Sequence, residues 1–278
     1  MPSHGSKDTT RDLGPAPYPA AAGMELLREG ARALGLCLTP EHVRAFQVYY
    51  HELSIWNRRF NLTTVTQYED VQLKHFLDSL TCLLALPIAG AAREALPDVV
   101  PLSTAETPLL CMDVGTGAGF PGLPLKIMRP ALQMTLLDSS RKKIAFLEHL
   151  VQCLELKGVE LLWARAEEAG QEGHHRERYD VVLARAVSDL AVLAEYCLPL
   201  CRKGGWFIAQ KGAQVEDEIK GAEAAVQMLG GELREVKAVT LPGLQEPRSL
   251  VLIEKVEATP SKYPRRPGMP RKRPLTAD

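Results

Sequence analysis

The feature that most constrains the fold is a change in hydrophobic period near residue 109. From there, short apolar runs alternate with amphipathic helical segments, beginning with LLCMDV, a glycine-rich loop and GLPLKIMR. Apolar runs separated by crossover helices indicate a doubly wound sheet of mostly parallel strands. The last two runs, ELREVKAVTLPG and RSLVLIEKV, have no helix between them and indicate an antiparallel hairpin. The sequence therefore predicts an α/β fold that ends in an antiparallel hairpin.

Other segments flank this α/β part. Residues 1–20, rich in Pro, Ala, Gly and polar residues, predict a disordered leader. Residues 21–90 predict a small helical region, in which Thr39 and Pro40 begin one long helix and YEDVQLKHFLDSLTCLLAL forms another. Residues 91–258 form the Rossmann-like domain, and residues 259–278 form a basic C-terminal tail.

Composition excludes several classes of protein. The chain has 46% hydrophobic residues and a net charge of −1, which rules out a uniformly basic surface. It contains no apolar run long enough for a membrane span and no secretory signal pattern, so we expect a cytoplasmic protein without a membrane partner. The six cysteines form no CxxC pair and no Cys/His cluster, which indicates buried thiols and no metal site. They are Cys37, Cys82, Cys111, Cys153, Cys197 and Cys201.

The loop DVGTGAGFPG, residues 113–122, fits two ligand classes. As GxGxxG starting at Gly117, with Asp138 21 residues further on, it matches a dinucleotide fingerprint. As Asp113 leading a GxGxG run, it places a carboxylate that would repel a pyrophosphate but could receive a cationic amino-acid group. Pro121 also removes an N–H from the helix start. S-adenosylmethionine is therefore favoured over NAD, with Asp113 near its aminocarboxyl end and Asp138 on its ribose; a purely connecting turn is the remaining alternative.

Three later strand ends carry polar residues. The segment Arg165–Glu168 follows the third strand, where an adenine would lie, although it could simply begin a surface helix. Arg185 ends the fourth strand beside the switch point of the sheet, where a functional role is favoured over packing. Lys211 ends the fifth strand and could hold an RNA phosphate or a base, or be a routine charge at a strand end.

Together these residues make the chain resemble the small-subunit rRNA methyltransferase G family, also called glucose-inhibited division protein B. The resemblance runs from about Trp56 to Leu275. HFLDSL ahead of the glycine loop is specific to that family, whereas the GxGxG loop alone is not. The matching segments are WNRRFNLTTVT, LKHFLDSL, DVGTGAGFPGLPL, LLDSSRKKIAFL, RAEE, ARA, QKG and YPRRPGMPRKRPL.

The resemblance implies a class I S-adenosylmethionine-dependent methyltransferase. It implies methyl transfer to N7 of a guanine in the 530 loop of 16S rRNA, position 527 in the usual RNA numbering, with S-adenosylhomocysteine as the other product. The expected partner is 16S rRNA or the small ribosomal subunit, and we expect a monomer. The cofactor residues expected from the loop and the resemblance together are Asp113, Gly115, Gly117, Gly119, Phe120, Asp138, Ser139, Ser140, Ala166, Glu167 and Arg185.

The chemistry of N7 agrees with the residue types. Guanine N7 carries an available lone pair at neutral pH, so the reaction needs alignment of the reactants rather than a general base. The chain has no Asn/Asp-Pro-Pro-Tyr segment, as an exocyclic-amine methylase would carry, and no Pro-Cys loop for 5-methylcytosine chemistry. We therefore expect no acid or base catalyst, and positioning roles for Arg185, Lys211, Asn61 and His75. For His75, packing in the core is an equal alternative.

RNA contacts are expected from basic residues. Trp56 and Phe60 are expected to pack in the core, whereas the arginines between them are plausible phosphate contacts. The tail segment 262–273 holds six cations and no acid, which fits either a solvated tail or an arm on RNA phosphates. Deleting residues 261–278 is predicted to weaken RNA binding with little change in cofactor affinity. The expected RNA contacts are Arg58, Arg59, Lys211, Lys262, Arg265, Arg266, Arg271, Lys272 and Arg273.

Two other functions are compatible with the same residues. A class I methyltransferase could act on another RNA or on a small molecule, because substrate choice resides outside the glycine loop. A non-catalytic RNA-binding assembly factor could have kept the fold, although intact acids at Asp113 and Asp138 disfavour it. A dehydrogenase ranks third.

Overall fold

A computed structural model describes residues 23–86, 108–185, 188–245 and 247–276. The leader and the predicted boundary between residues 90 and 91 lie outside the described residues. Seven strands form one sheet in the order β3-β2-β1-β4-β5-β7-β6. Only β7 runs antiparallel to its neighbours, so the predicted closing hairpin is confirmed. The strands are β1 Leu110–Val114, β2 Gln133–Asp138, β3 Val159–Trp163, β4 Tyr179–Arg185, β5 Cys201–Lys211, β6 Gly231–Val239 and β7 Arg248–Lys255.

Helices precede the sheet and cover both of its faces. Thr39 caps the longest helix as predicted: its hydroxyl accepts a hydrogen bond from the backbone N–H of His42 at 3.3 Å, with Pro40 at the first position. The described α-helices are α1 Glu25–Ala33, α2 Pro40–Phe60, α3 Tyr68–Val71, α4 Asp78–Leu80, α5 Gly122–Met128, α6 Arg141–Cys153, α7 Ala166–Ala169, α8 Leu190–Cys197, α9 Glu216–Met228 and α10 Met269–Lys272.

The prediction of one uninterrupted α-helix over residues 68–86 is wrong. A π-helix occupies Gln72–Leu77 between α3 and α4, and a 3₁₀-helix, Thr81–Leu84, follows α4. Side chains supply hydrogen bonds to the carbonyls of this segment: Ser79 Oγ donates to His75 O at 2.6 Å, and Gln210 Nε2 donates to Asp78 O at 2.5 Å. The first donor is local, but Gln210 comes from a distant strand, and helical periodicity alone does not show such a contact or the change in winding.

Two apolar layers sandwich the sheet. The helical region, α5 and α6 bury one face, and α8, α9 and the C-terminal residues bury the other. The helical region joins the first layer through α2, whose Trp56 packs on Phe60, Phe146 and His149 as the predicted core residue. His149 Nε2 also lies 2.7 Å from Glu52 Oε2, which ties α6 to α2. The core therefore joins the helical region to the domain that follows it.

The burial of the cysteines and the hydropathy of the helices bear on two further expectations. Four cysteines are buried, whereas Cys37 and Cys153 are exposed, so the expectation of buried thiols holds for four of six. Within the described ranges, no helix is long and apolar enough to cross a membrane.

Candidate functional site

The glycine loop between β1 and α5 is organised from beneath by Asp113. This fully buried carboxylate accepts hydrogen bonds from Thr116 Oγ1 at 2.6 Å and from the N–H of Gly122 at 2.8 Å. Burial raises its pKa to about 6, although both hydrogen bonds favour the charged form. Its burial favours a role for Asp113 in holding the loop in shape over the expected direct contact with the cofactor.

Most backbone N–H groups of the loop already have protein acceptors. Those of Gly115 and Thr116 donate to Leu137 O, and that of Gly117 donates to Asp138 Oδ2 at 3.0 Å. Gly119 and Phe120 both donate to Thr116 O at 2.9 Å, and Pro121 has no N–H. Phosphate cradles need donors that point outward, so this donor set fits a phosphate-free ligand such as S-adenosylmethionine and does not fit a pyrophosphate.

A cleft of about 240 Å³ opens at the carboxyl ends of β1, β2 and β3. Gly115, Asp138, Ser139, Ala166 and Glu167, all expected from the sequence, line it together. Asp138 accepts hydrogen bonds from the N–H groups of Gly117 and Ser140, which hold its carboxylate at the cleft wall. Arg165, which belongs to the segment expected near the adenine, lines the cleft too. The other lining residues were not foreseen as cofactor residues; they are Val114, Leu137, Lys143, Ala164, Tyr196 and Arg271.

An aromatic crevice lies on the other side of the loop, where the helical region meets the sheet. Phe120 is stacked between Tyr49, at 5.2 Å between ring centroids, and His75, at 4.5 Å. The guanidinium carbon of Arg185 lies 5.0 Å from the centroid of the Phe120 ring. Thr63 Oγ1 lies 2.7 Å from His75 Nε2. Three residues distant in sequence, Tyr49, His75 and Arg185, therefore surround the expected cofactor residue Phe120.

Arg185 is held in this crevice by Asp78. Its Nη1 lies 3.2 Å from Asp78 Oδ2 and 3.5 Å from His75 O, and its side chain is only 13% exposed. Arg248 Nε donates to the other Asp78 oxygen at 2.9 Å. Burial nevertheless raises the pKa of Asp78, which outweighs the attraction of both arginines. The carboxylate thus fixes two guanidinium groups in a place that water reaches poorly.

His75 is a neutral imidazole in this setting. Burial, and then the adjacent Arg185 charge, lower its pKa to about 4. The structure places His75 in the crevice as expected. Asn61, its expected companion, is exposed and ends α2 in the left-handed conformation, with φ 49°. Asn57 instead orders the segment after α2: its side chain makes two hydrogen bonds to the backbone of Thr63.

Two of the expected RNA contacts are corrected. The ammonium of Lys211 is only 10% exposed, pairs with Glu218 and donates to Ser188 O at 2.5 Å. The guanidinium of Arg265 binds the fully buried carboxylate of Glu195 through two nitrogens, at 2.8 Å and 2.6 Å. Both cations already have carboxylate partners that a phosphate would have to displace, and the partner of Arg265 is fully buried. Their positions therefore favour structural roles.

The other expected RNA contacts are exposed, and they fall in two groups. Arg58 and Arg59 occupy the last turn of α2, and Arg58 lines a cavity of about 370 Å³ with Thr63 and Asn57. The tail cations that remain exposed are Lys262, Arg266, Arg271, Lys272 and Arg273.

Several residues of the site were missed by sequence analysis. Tyr49 and Arg248 lie in apolar or strand patterns that predict packing, and only their long-range contacts reveal them. Lys143 Nζ lies 3.3 Å from Asp138 Oδ2. The sequence signal for this contact is a lysine in the first turn of α6, the helix that follows Asp138.

Comparison with known proteins shows the family. The family model described as rRNA small subunit methyltransferase G (GidB) matches residues 42–249. The Ribosomal RNA small subunit methyltransferase G of Pelotomaculum thermopropionicum is 47% identical over 251 residues, which cover 90% of this chain and 98% of that protein. The protein of the same name from Roseiflexus sp. is 47% identical, covering 91% of this chain and 100% of its own. With this coverage, and with the motifs placed at one edge of the sheet, the chain belongs to the rRNA small subunit methyltransferase G family.

Proposed function

We propose that this protein methylates N7 of a guanine in the 530 loop of 16S rRNA, at position 527, using S-adenosylmethionine. Family membership supports a methyltransferase acting on ribosomal RNA of the small subunit. The observation that carries the finer proposal is the aromatic crevice, where a neutral His75 and the immobilised Arg185 adjoin the glycine loop. An imidazole with a pKa of about 4 is a weak base, which suits a target atom that has no proton to lose.

The cleft and its acid suit S-adenosylmethionine. The cofactor supplies an electrophilic methyl group on a sulfonium. Asp138 sits at the cleft wall, where a carboxylate can accept hydrogen bonds from ribose hydroxyls. Ala166 and Glu167 line the same wall after β3 and would face the adenine. Gly115 and Ser139 complete the side of the cleft nearest the loop.

The crevice suits a guanine. Half-buried His75, which stacks on Phe120, can offer its ring to a purine, since bases removed from a helix stack on aromatic side chains. Arg185 can donate to guanine O6, the acceptor next to N7. Because Asp78 holds this guanidinium, Asp78 acts as a residue that positions the base through Arg185. Methylation leaves the purine positively charged, and the Asp78 carboxylate partly offsets the local excess of cations.

Exposed cations on both flanks of the crevice would bind the RNA backbone. They are Arg58, Arg59, Lys262, Arg266, Lys272 and Arg273. Removing them one at a time should weaken RNA binding and reduce its salt dependence, without changing which guanine is modified. A cytoplasmic location is consistent with a ribosomal RNA substrate and stays a prediction, as does a monomer.

The test is a methyl-transfer assay that maps its product. Labelled S-adenosylmethionine is offered with unmodified small-subunit particles, and the RNA is then reduced and cleaved, a treatment that reports 7-methylguanine. Cleavage at one guanine of the 530 loop is the expected result. Transfer to another nucleotide would contradict the site, and cofactor binding without transfer would favour a different substrate or an assembly role.

The matched variants are Arg185→Lys and Arg202→Lys. The first keeps the charge in the crevice but loses the planar guanidinium, and we expect a roughly hundredfold lower kcat. The second makes the same change at an exposed arginine that pairs with Asp180, outside both the cleft and the crevice. Equal activity of the two variants would contradict the role of Arg185.

A further inference from the structure

The C-terminal segment, residues 256–276, packs on the domain as an ordered part of the fold. Arg265 binds the buried Glu195 of α8 through its side chain and its backbone N–H, the latter at 2.8 Å. Arg176 reaches across from the loop after α7 and donates to the carbonyl oxygens of Thr259, at 2.6 Å, and Tyr263, at 2.7 Å. These polar contacts, together with the buried side chains of Tyr263 and Leu275, fix the path of the segment.

The fixed path brings the segment to the cofactor cleft at two points. The N–H of Gly268 donates to Glu167 Oε1 at 2.8 Å, and Glu167 is one of the residues that line the cleft. Three residues further on, Arg271 lines the same cleft beside Tyr196 and Arg165. The segment therefore orients one wall residue and contributes another.

We propose that residues 256–276 form one wall of the cofactor site and that Arg271 contacts the adenosine part of the bound cofactor, contrary to the expectation that deleting residues 261–278 changes cofactor affinity little. This inference rests on the proposed cofactor position but not on the RNA target. Arg271 lines the cleft three residues after Gly268, whose N–H binds Glu167, so the segment meets the cleft at Glu167. A planar guanidinium there can stack on a purine and donate to its ring nitrogens.

The sign of the charge effect separates contact from simple electrostatics. S-adenosylmethionine carries a sulfonium, so a cation that acted only at a distance would weaken its binding, and its removal would strengthen binding. Loss of a direct contact should instead weaken the binding of S-adenosylmethionine. It should also weaken the binding of S-adenosylhomocysteine and of adenosine, which lack the sulfonium.

The experiment is calorimetric titration of the full chain with S-adenosylhomocysteine and with adenosine, in the absence of RNA. For Arg271→Ala we expect Kd to rise about five- to tenfold for both ligands, the loss of one charged contact. Arg271→Lys should recover only part of this, because an ammonium cannot stack. The control is Lys220→Ala, which removes an exposed cation on α9 outside the cleft and should leave Kd unchanged.

A second variant tests the proposed wall by weakening the ion pair between Arg265 and Glu195, which holds residues 256–276 on the domain. Glu195→Gln removes the charge that binds Arg265 while keeping the shape of the side chain, and it should raise the Kd for S-adenosylhomocysteine in the same direction. Circular dichroism checks that this variant stays folded. The proposal is overturned if Arg271→Ala leaves both Kd values unchanged, even where RNA binding falls. Failure of transfer to 16S rRNA would leave this result untouched, since no RNA is present.

Discussion

Single residues at the site are tuned by burial rather than by unusual chemistry. His75 and Asp113 flank the glycine loop on opposite sides, and each has a pKa moved toward its neutral form, to about 4 and about 6. Asp113 keeps two hydrogen-bond donors, Thr116 and Gly122, whereas His75 faces the Arg185 charge. The consequence at this scale is that stability responds to pH through these two groups with opposite signs.

The His75→Gln substitution tests the histidine. Because the pKa of folded His75 is about 4 against an ordinary 6.5, the unfolded chain binds a proton that the native state does not bind between those values. The stability that neutral His75 contributes is therefore complete above pH 6.5 and is lost as the pH falls toward 4. We expect the variant to lack this loss, which amounts to at most about 3 kcal/mol. Urea unfolding at several pH values measures it, and His174→Gln, at an exposed histidine, is the control.

Gly119→Ala tests the conformation of the loop. Gly119 has φ 101°, and an added Cβ would lie 2.5 Å from Tyr49 Oη and 2.7 Å from Leu123 Cδ1. We expect a loss of roughly 2–4 kcal/mol in the free energy of unfolding, from strain and overpacking together. Cofactor binding should weaken too, since the neighbouring loop residues line the cleft. At Gly173 a Cβ meets no atom within 4 Å, so Gly173→Ala should cost little; equal losses would contradict the argument.

At the scale of elements, the segment of changed helical winding is what brings polar groups to the crevice. The π-helix Gln72–Leu77 contains His75, and α4 begins at Asp78. Arg185 Nη1 lies within 3.5 Å of the carbonyl oxygens of Lys74 and His75, as well as near Asp78. The guanidinium at the end of β4 therefore satisfies hydrogen-bond acceptors of the helical segment. Removing either partner leaves the polar groups of the other without this hydrogen bond.

Asp78→Asn should damage both elements. The variant cannot neutralise Arg185 and Arg248, and breaking a largely buried ion pair leaves uncompensated charge, so we expect about 3 kcal/mol of lost stability. Methyl transfer should fall as the guanidinium of Arg185 loses its fixed place. Thermal unfolding and the labelled transfer assay measure the two effects. Asp217→Asn removes a fully exposed partner 3.9 Å from Lys220 and should change neither quantity.

For the whole molecule, the helical region is built into the cofactor loop of the α/β part. Tyr49 of α2 donates from its buried hydroxyl to Ala118 O at 2.6 Å, between Gly117 and Gly119. Its ring also stacks on Phe120, and Gln210 of β5 donates to Asp78 O and to Thr81. The two parts thus meet where cleft and crevice adjoin, which makes the loop sensitive to contacts made by α2.

Tyr49→Phe isolates this link. The ring and its stacking remain, but Ala118 O loses its donor in a buried place, which should cost about 1–2 kcal/mol of stability. We also expect a few-fold weaker binding of S-adenosylhomocysteine, because the loop is less constrained. Calorimetry and urea unfolding provide the two readouts. Tyr50→Phe removes a half-buried hydroxyl from the neighbouring position and is the control; unchanged cofactor binding in Tyr49→Phe would disprove the coupling.

Local patterns were sufficient for much of the fold and part of the site. Alternating strands and helices, the closing hairpin and the cap at Thr39 are properties of neighbouring residues, so periodicity and turn chemistry reveal them. Gly115, Asp138, Ala166 and Glu167 follow strand ends, and parallel strands bring such ends to one edge of a sheet. The motif spacing likewise indicated the family that the comparisons show.

What only the tertiary structure decided concerns contacts between distant parts of the chain. The π-helix accepts a hydrogen bond from Arg185, and α4 accepts one from Gln210; both donors lie more than 100 residues away. Arg265 and Arg271 read alike in a basic tail, yet one meets the buried Glu195 and the other reaches the cofactor cleft. Sequence periodicity does not show which residue a charged side chain will contact. Burial, which strengthens each of these contacts, exists only once the chain has folded.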